Sequence, residues 1–154
     1  MKSVTLQIWD TAGQERYQSL GRAFYRGAEA CVLVFDITNR QSFDNISTWK
    51  SEFFEKSMPK EPSMIPIFVL GNKMDLENER AVSQEKIDDY MSKNPEFIYF
   101  NTSAIEGSNV NEVFSQVAKN HLKIKAQSED NSTEPTTAQS QSNSASKKKF
   151  DLED

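Results

Sequence analysis

The sequence predicts an α/β fold with a mostly parallel sheet, and three observations carry that prediction. Short apolar runs rich in β-branched residues, the composition of strands covered on both faces, recur along the chain. Segments with helical apolar spacing lie between them, so strand and helix alternate and crossover connections follow. The apolar residues also stop abruptly: 51 fall in residues 1–125 and only 5 in residues 126–154, which predicts one globular unit followed by a tail.

Taken in order, Val4, Leu6 and Ile8 alternate with Thr5 and Gln7 as in a strand, and the run ends in the turn-prone Asp10-Thr11-Ala12-Gly13. Ala30 to Phe35, Ile65 to Leu70 and Phe97 to Phe100 are short and continuous, as buried strands are. Phe43, Ile46, Trp49 and Phe53 share one helical stripe, and Val82, Ile87, Tyr90 and Met91 mark another. The clearest stripe holds Val110, Val113, Phe114, Val117, Ala118 and Leu122, opened by Asn109 as the expected cap with Glu112 three residues on. Residues 126–146 are mostly Ser, Thr, Gln and Asn and bring too little apolar surface to offset the entropy of ordering. The domain boundary is therefore placed at residue 125, with 126–154 read as a disordered tail.

Charge and cysteine content remove several function classes. The net charge is −5, from 15 basic and 17 acidic residues up to residue 125 and 3 and 6 beyond it. Neither part has the basic excess of a phosphate-backbone binder, so no nucleic-acid partner is expected. Cys31 is the only cysteine, which rules out an internal disulfide and a cysteine zinc site and leaves a small inert hydrophobe. The longest apolar run, Ala30 to Phe35, falls far short of the ~18 residues of a membrane span, and Met1 to Gln7 holds no hydrophobic signal region. A soluble chain of the cytoplasm is expected, with Trp9 and Trp49 as packing residues.

In an open α/β sheet, ligands bind beyond the carboxyl ends of the strands, which singles out Asp10 to Gln14, Asp36, Gly71 to Asp75 and Thr102 to Ile105. Asn72-Lys73-Met74-Asp75 places an amide, an ammonium on a long stem and a carboxylate within four residues. A carboxylate there can accept two parallel hydrogen bonds from the ring N–H and exocyclic amine of guanine, a pairing adenine cannot offer. Alone, so short a pattern is equally a polar loop. Asp10-Thr11-Ala12-Gly13-Gln14 adds a second, different signal. Glycine lets a backbone N–H approach a terminal phosphate, an acid can hold a magnesium-bound water, and a glutamine amide can orient an attacking water.

With both patterns in this order, the chain resembles the Ras-like small GTPases and, among them, the Rab branch. Trp9-Asp-Thr-Ala-Gly-Gln-Glu-Arg16, Asn72-Lys-Met-Asp75 and Thr102-Ser-Ala104 are similar to the family's third, fourth and fifth nucleotide motifs. Phe24-Tyr-Arg-Gly-Ala28 and Leu33-Val-Phe-Asp-Ile-Thr38 are similar to Rab-specific stretches. Gln18-Ser-Leu-Gly21 and Gly71-Asn-Lys-Met-Asp-Leu-Glu77 most resemble late-endosomal or vacuolar Rabs, and the likeness runs from residue 3 to about 124.

The resemblance implies GTP or GDP and Mg2+ as cofactors. Asp10 would contact the metal through water, the Gly13 amide would meet the γ-phosphate, and Gln14 would position the hydrolytic water, with Thr11 and Ala12 in the same nucleotide-binding segment. Asn72 would brace the base, the Lys73 stem would cover one face, Asp75 would read guanine with support from Ser103, and the Ala104 amide would meet the base carbonyl oxygen. Residues 14–28 would reorder on loss of the γ-phosphate. Effectors, an exchange factor and a GTPase-activating protein are implied as partners, at the endosomal membrane surface, in vesicle traffic toward the late endosome, lysosome or vacuole.

Departures from the family pattern shape the expectation further. No Gly-x-x-x-x-Gly-Lys-[Ser/Thr] occurs in the 154 residues. The family's first strand lies between the strands read near residues 4–9 and 31–37, so the expected fold is a partial P-loop NTPase-like three-layer one. It lacks that strand and the phosphate-binding loop, leaves two inner sheet edges unpaired, and binds nucleotide poorly. Ile105 stands where the family has a lysine packed on the base. The tail ends Phe150-Asp-Leu-Glu-Asp154 without a cysteine for prenylation, which argues against a lipid anchor, and Lys147 to Lys149 read as a solvated charge run. Two functions follow: a Rab-type switch hydrolysing GTP through a Gln14-oriented water, or a truncated, non-hydrolysing interaction module that keeps part of an effector surface.

Overall fold

The structure, a computed structural model, describes residues 2–11, 25–129 and 146–152. Its centre is a three-stranded parallel sheet in the order β2 (Cys31–Asp36), β3 (Ile67–Asn72) and β4 (Ile98–Asn101). Alternation along β3 explains why that sequence is apolar throughout. Ile67 and Val69 join one buried cluster and Phe68 and Leu70 another, one on each face. The strand begins two residues after the predicted start because Pro66 has no N–H to give a ladder, although its carbonyl accepts from Cys31 N at 3.0 Å.

The first cluster joins Cys31, Leu33, Phe35 and Ile37 to Phe43, Ile46 and Phe53 of α1 (Arg40–Asp44) and α2 (Ile46–Ser57), and to Ile87 of α3 (Gln84–Ser92). The single stripe predicted from Phe43 to Phe53 is thus two helices broken at Asn45, yet Phe43, Ile46 and Phe53 are all buried. Trp49 packs against this cluster, whereas Trp9 keeps 37% of its surface exposed. The second cluster sets Phe68 and Leu70 against Val113 and Val117 of α4 (Val110–Glu129). Helices on one face, sheet, and α4 on the other give three layers, the α/β architecture expected.

The start of α4 departs from the expected capping box. Asn109 has a φ of 60°, its amide donates to Asn101 O at 2.7 Å, and Glu112 accepts from Gln116 Nε2 at 2.8 Å instead of reaching back. The Asn109 side chain thus ties the helix start to the end of β4.

β1 (Lys2–Ile8) belongs to a separate two-stranded sheet. Among the described residues, β2 pairs only with β3, so its other edge is open and Val34 stands 55% exposed, where a strand covered on both faces was expected. β1 is held to the rest through Leu6, which packs on the cluster of Phe68, Leu70, Val113 and Val117. Its hydrogen-bonded partner is β5 (Ser146–Leu152), antiparallel, from Lys2 opposite Leu152 to Ile8 opposite Ser146. Helix to Glu129 and strand from Ser146 therefore lie inside the stretch read as a tail, and the backbone of Lys147 to Lys149 is part of a ladder. An open alternating strand gains more by pairing with any available segment than by leaving its N–H and C=O groups to water, whatever the composition of the partner.

Candidate functional site

The parallel register aligns the strand ends. Asp36 is opposite Asn72, and Gly71 is opposite Phe35 and Asn101, so three carboxyl ends open onto one edge of the sheet. Gly71 fits there because no side chain could: a Cβ would lie 2.4 Å from Tyr99 Oη. Asn72 closes β3, and Lys73 then adopts a left-handed conformation (φ 68°) that turns the chain into a 3-10 turn over Met74–Glu79. Met74 N donates to Thr102 O at 3.0 Å and Thr102 N to Gly71 O at 2.9 Å, which lock this turn to the loop after β4.

Side chains complete the junction. Asn72 Oδ1 accepts from Thr102 Oγ1 at 3.2 Å and from Ala104 N at 3.1 Å, so one amide oxygen braces the whole 102–104 loop. Ser103, fully buried, donates its hydroxyl to Asp75 Oδ1 at 2.5 Å and accepts from Glu106 N at 3.2 Å. The Asp75 carboxylate is thereby oriented while its residue stays exposed. Ile105 is 84% exposed and presents an apolar side chain beside the junction. Asn72, Lys73, Asp75, Ser103, Ala104 and Ile105 are thus gathered at one corner, although the Ala104 N–H, expected to meet a base carbonyl, is here given to Asn72.

Lys73 is engaged by Asp36, a strand-end residue outside the three nucleotide motifs. Its Nζ lies 2.7 Å from Asp36 Oδ2, and Thr38 donates to Asp36 Oδ1 from both N (2.8 Å) and Oγ1 (2.7 Å). Burial alone would raise the Asp36 carboxyl, but the Lys73 ammonium and the Thr38 donors outweigh it and hold the group below its ordinary value. The same hydrogen bond, donated by Lys73 to Asp36, raises Lys73. A signal was present in Asp36-Ile-Thr38, since an aspartate commonly bonds the backbone N–H two residues on, but the distant lysine is not written there.

The other end of the predicted site is only partly visible. Asp10 and Thr11 follow β1 and are exposed. Ala12, Gly13 and Gln14 lie outside the described residues. Among the described residues, no three His, Cys, Asp or Glu side chains converge as metal ligands, and no helix is long and apolar enough to cross a membrane.

Comparison with known proteins agrees with this geometry. The model of the Ras family matches residues 1–123. Rab7 of Drosophila melanogaster is 50% identical over 126 residues, which cover 82% of this chain and 60% of the relative. RABG3a of Arabidopsis thaliana is 51% identical over 123 residues (79% and 60%), and Rab-7a of Dictyostelium discoideum 49% over 121 (79% and 60%). The chain spans about 60% of the length of the curated relatives it matches. A family match over most of the chain, together with a braced Asn72-Lys73-Met74-Asp75 corner on a parallel sheet, places it: the chain belongs to the Ras family, with a Rab7-like small GTPase sequence.

Proposed function

We propose that the chain is part of a Rab-type guanine-nucleotide switch that regulates vesicle traffic toward the late endosome, lysosome or vacuole. The observation that supports this best is the preset Asp75. Ser103 orients its exposed carboxylate from a fully buried position, and a carboxylate so held can accept two parallel hydrogen bonds from guanine. Asn72 would brace the base loop, the Lys73 stem and Ile105 would cover the base, and Ala104 N would turn from Asn72 Oδ1 to the base carbonyl. At the phosphate end, Asp10 would hold magnesium through water, which suits an exposed single carboxylate better than a direct ligand set. Thr11 and Ala12 would line the nucleotide, the Gly13 amide would meet the γ-phosphate, and Gln14 would orient the attacking water; for these the resemblance is the support. Magnesium, when bound, would neutralise charge on the phosphate oxygens. Effectors, an exchange factor and a GTPase-activating protein would read and reset the switch at the endosomal surface.

A second reading, a non-hydrolysing interaction module that keeps part of an effector surface, makes the opposite prediction for nucleotide binding. Titration of the chain with fluorescent guanine and adenine nucleotides in magnesium tests both. Weak binding with a guanine preference, lost in Asp75→Asn, is the expected result. Equal binding of the two bases overturns the guanine reading, and tight binding overturns the expectation that these residues hold phosphate poorly.

A further inference from the structure

The carboxylate at the end of β2 is built to a higher standard than a turn requires. Thr38 fixes Asp36 Oδ1 with two donors, at 2.8 and 2.7 Å, and Ser42 Oγ accepts from Asp36 N at 3.0 Å, so side chain and backbone are both pinned. These bonds suffice for the turn into α1. The second oxygen is spent on Lys73 Nζ at 2.7 Å. Lys73 is anchored independently at its backbone, through its left-handed φ of 68° and the 2.8 Å bond from Leu76 N to Lys73 O. A long flexible side chain is thus held at both ends, and its stem bridges the carboxyl ends of β3 and β2 along the edge where the base corner opens.

We propose that Asp36 is a positioning residue of the base site, which by holding the Lys73 ammonium lays the lysine stem in place to cover one face of a guanine base. This rests on the reading of the corner as a guanine site. The Lys73 side chain is 49% exposed and that of Asp36 21%, so the pair contributes little as a salt bridge in water. Its effect lies in preorganisation: a stem already ordered loses no rotamer freedom when the base arrives, whereas a free lysine does. Removing the anchor therefore weakens binding of the base while leaving the fold in place.

The test is an NMR titration of the 154-residue chain with GMP, and with AMP as base control, read at the Ala104 amide. Asp36→Asn, which keeps the shape and the Thr38 bonds, weakens GMP binding by about threefold to tenfold. Lys73→Met keeps an apolar stem of similar length, removes only the anchored ammonium without touching β2, and weakens GMP by the same factor. The double substitution is no weaker than either single one, and Asp36→Glu recovers most of the loss. A role confined to the β2 turn would lower the urea midpoint of Asp36→Asn and leave the GMP affinity of the folded protein unchanged. Unchanged GMP affinity in Asp36→Asn or in Lys73→Met, or additive losses in the double variant, overturns the proposal and leaves the guanine reading standing. Equal GMP and AMP affinity in the unsubstituted chain overturns that reading and the proposal with it.

Discussion

Gly71→Ala is the sharpest test of how the sheet shapes the site. A methyl group there would stand 2.4 Å from Tyr99 Oη, 3.1 Å from Phe35 Cζ and 3.3 Å from Asn101 Oδ1. The first contact is impossible, so the Tyr99 ring must move. That movement breaks its 2.6 Å hydrogen bond to Asn101 Oδ1 and its stacking on Phe35 at 6.4 Å between centroids. Burial raises the Tyr99 phenol to about 12, so the hydroxyl stays protonated and donates to Asn101 at neutral pH. Overpacking costs about 1–3 kcal/mol and a lost buried hydrogen bond about 1 more, so the substitution should remove about 2–4 kcal/mol of a typical 5–15. In urea, with a slope of about 1.5 kcal/mol per molar, the midpoint followed by tryptophan fluorescence should fall by roughly 1.5–2.5 M. Tyr99→Phe removes the colliding oxygen, so the double variant should lose about 1–2 kcal/mol less than the sum of the two single losses. The relief is partial because Phe35 Cζ stays. A Gly71→Ala cost under about 0.5 kcal/mol, or one unchanged in the Tyr99→Phe background, would refute the steric account.

Three other outcomes follow from the same contacts. Ser103→Ala should cost about 1–3 kcal/mol, since Asp75 and Glu106 N both lose their buried hydroxyl partner, and it should reduce the ratio of GMP to AMP affinity; an unaltered ratio would mean that Ser103 does not orient Asp75 for the base. Cys31 is 8% exposed and burial pushes its thiol up to about 12, so a thiol reagent at pH 8 should label it only in urea. Its folded value lies above the ordinary 9.0, so its contribution to stability is complete below pH 9.0 and is lost as pH rises toward 12; Cys31→Ala should flatten stability against pH in that window. Deleting residues 146–154 should raise amide exchange in Val4 to Ile8 by at least about tenfold and leave residues 67–72 unchanged, because among the described residues β5 forms its ladder with β1, and β3 with β2 and β4.

What the sequence made legible depended on how local its cause was. The β-branched runs of β2, β3 and β4 are strands because each is apolar on both faces, a property of the residues themselves. The Asn72-Lys73-Met74-Asp75 and Thr102 to Ile105 segments were legible because strand ends collect ligand groups, and the parallel register does bring them together. Val34 was misjudged because its exposure reflects an open edge of β2, a fact about neighbours and not about Val34. β5 was invisible for the same reason: Ser146 to Leu152 has no alternation of its own, and only the β1 ladder gives it a shape. Asn109 has the composition of a cap, but its amide bond to the carbonyl of Asn101, eight residues back, depends on where the fold brings β4.

The two ends of the proposed nucleotide site are mechanically unequal. The base corner stands on β3 and β4, which share a ladder, and Asn72 and Ser103 cross-link their loops by side chains. Asp10 and Thr11 instead follow β1, whose ladder partner is β5. β1 reaches the central sheet through apolar packing, with Leu6 on the Phe68, Leu70, Val113 and Val117 cluster. Packing is non-directional, so it fixes the distance of β1 from the core more firmly than its register. Hydrogen-bond ladders fix register, which is why the groups proposed to read guanine already stand together, while the proposed phosphate end depends on whatever strand pairs beside β1.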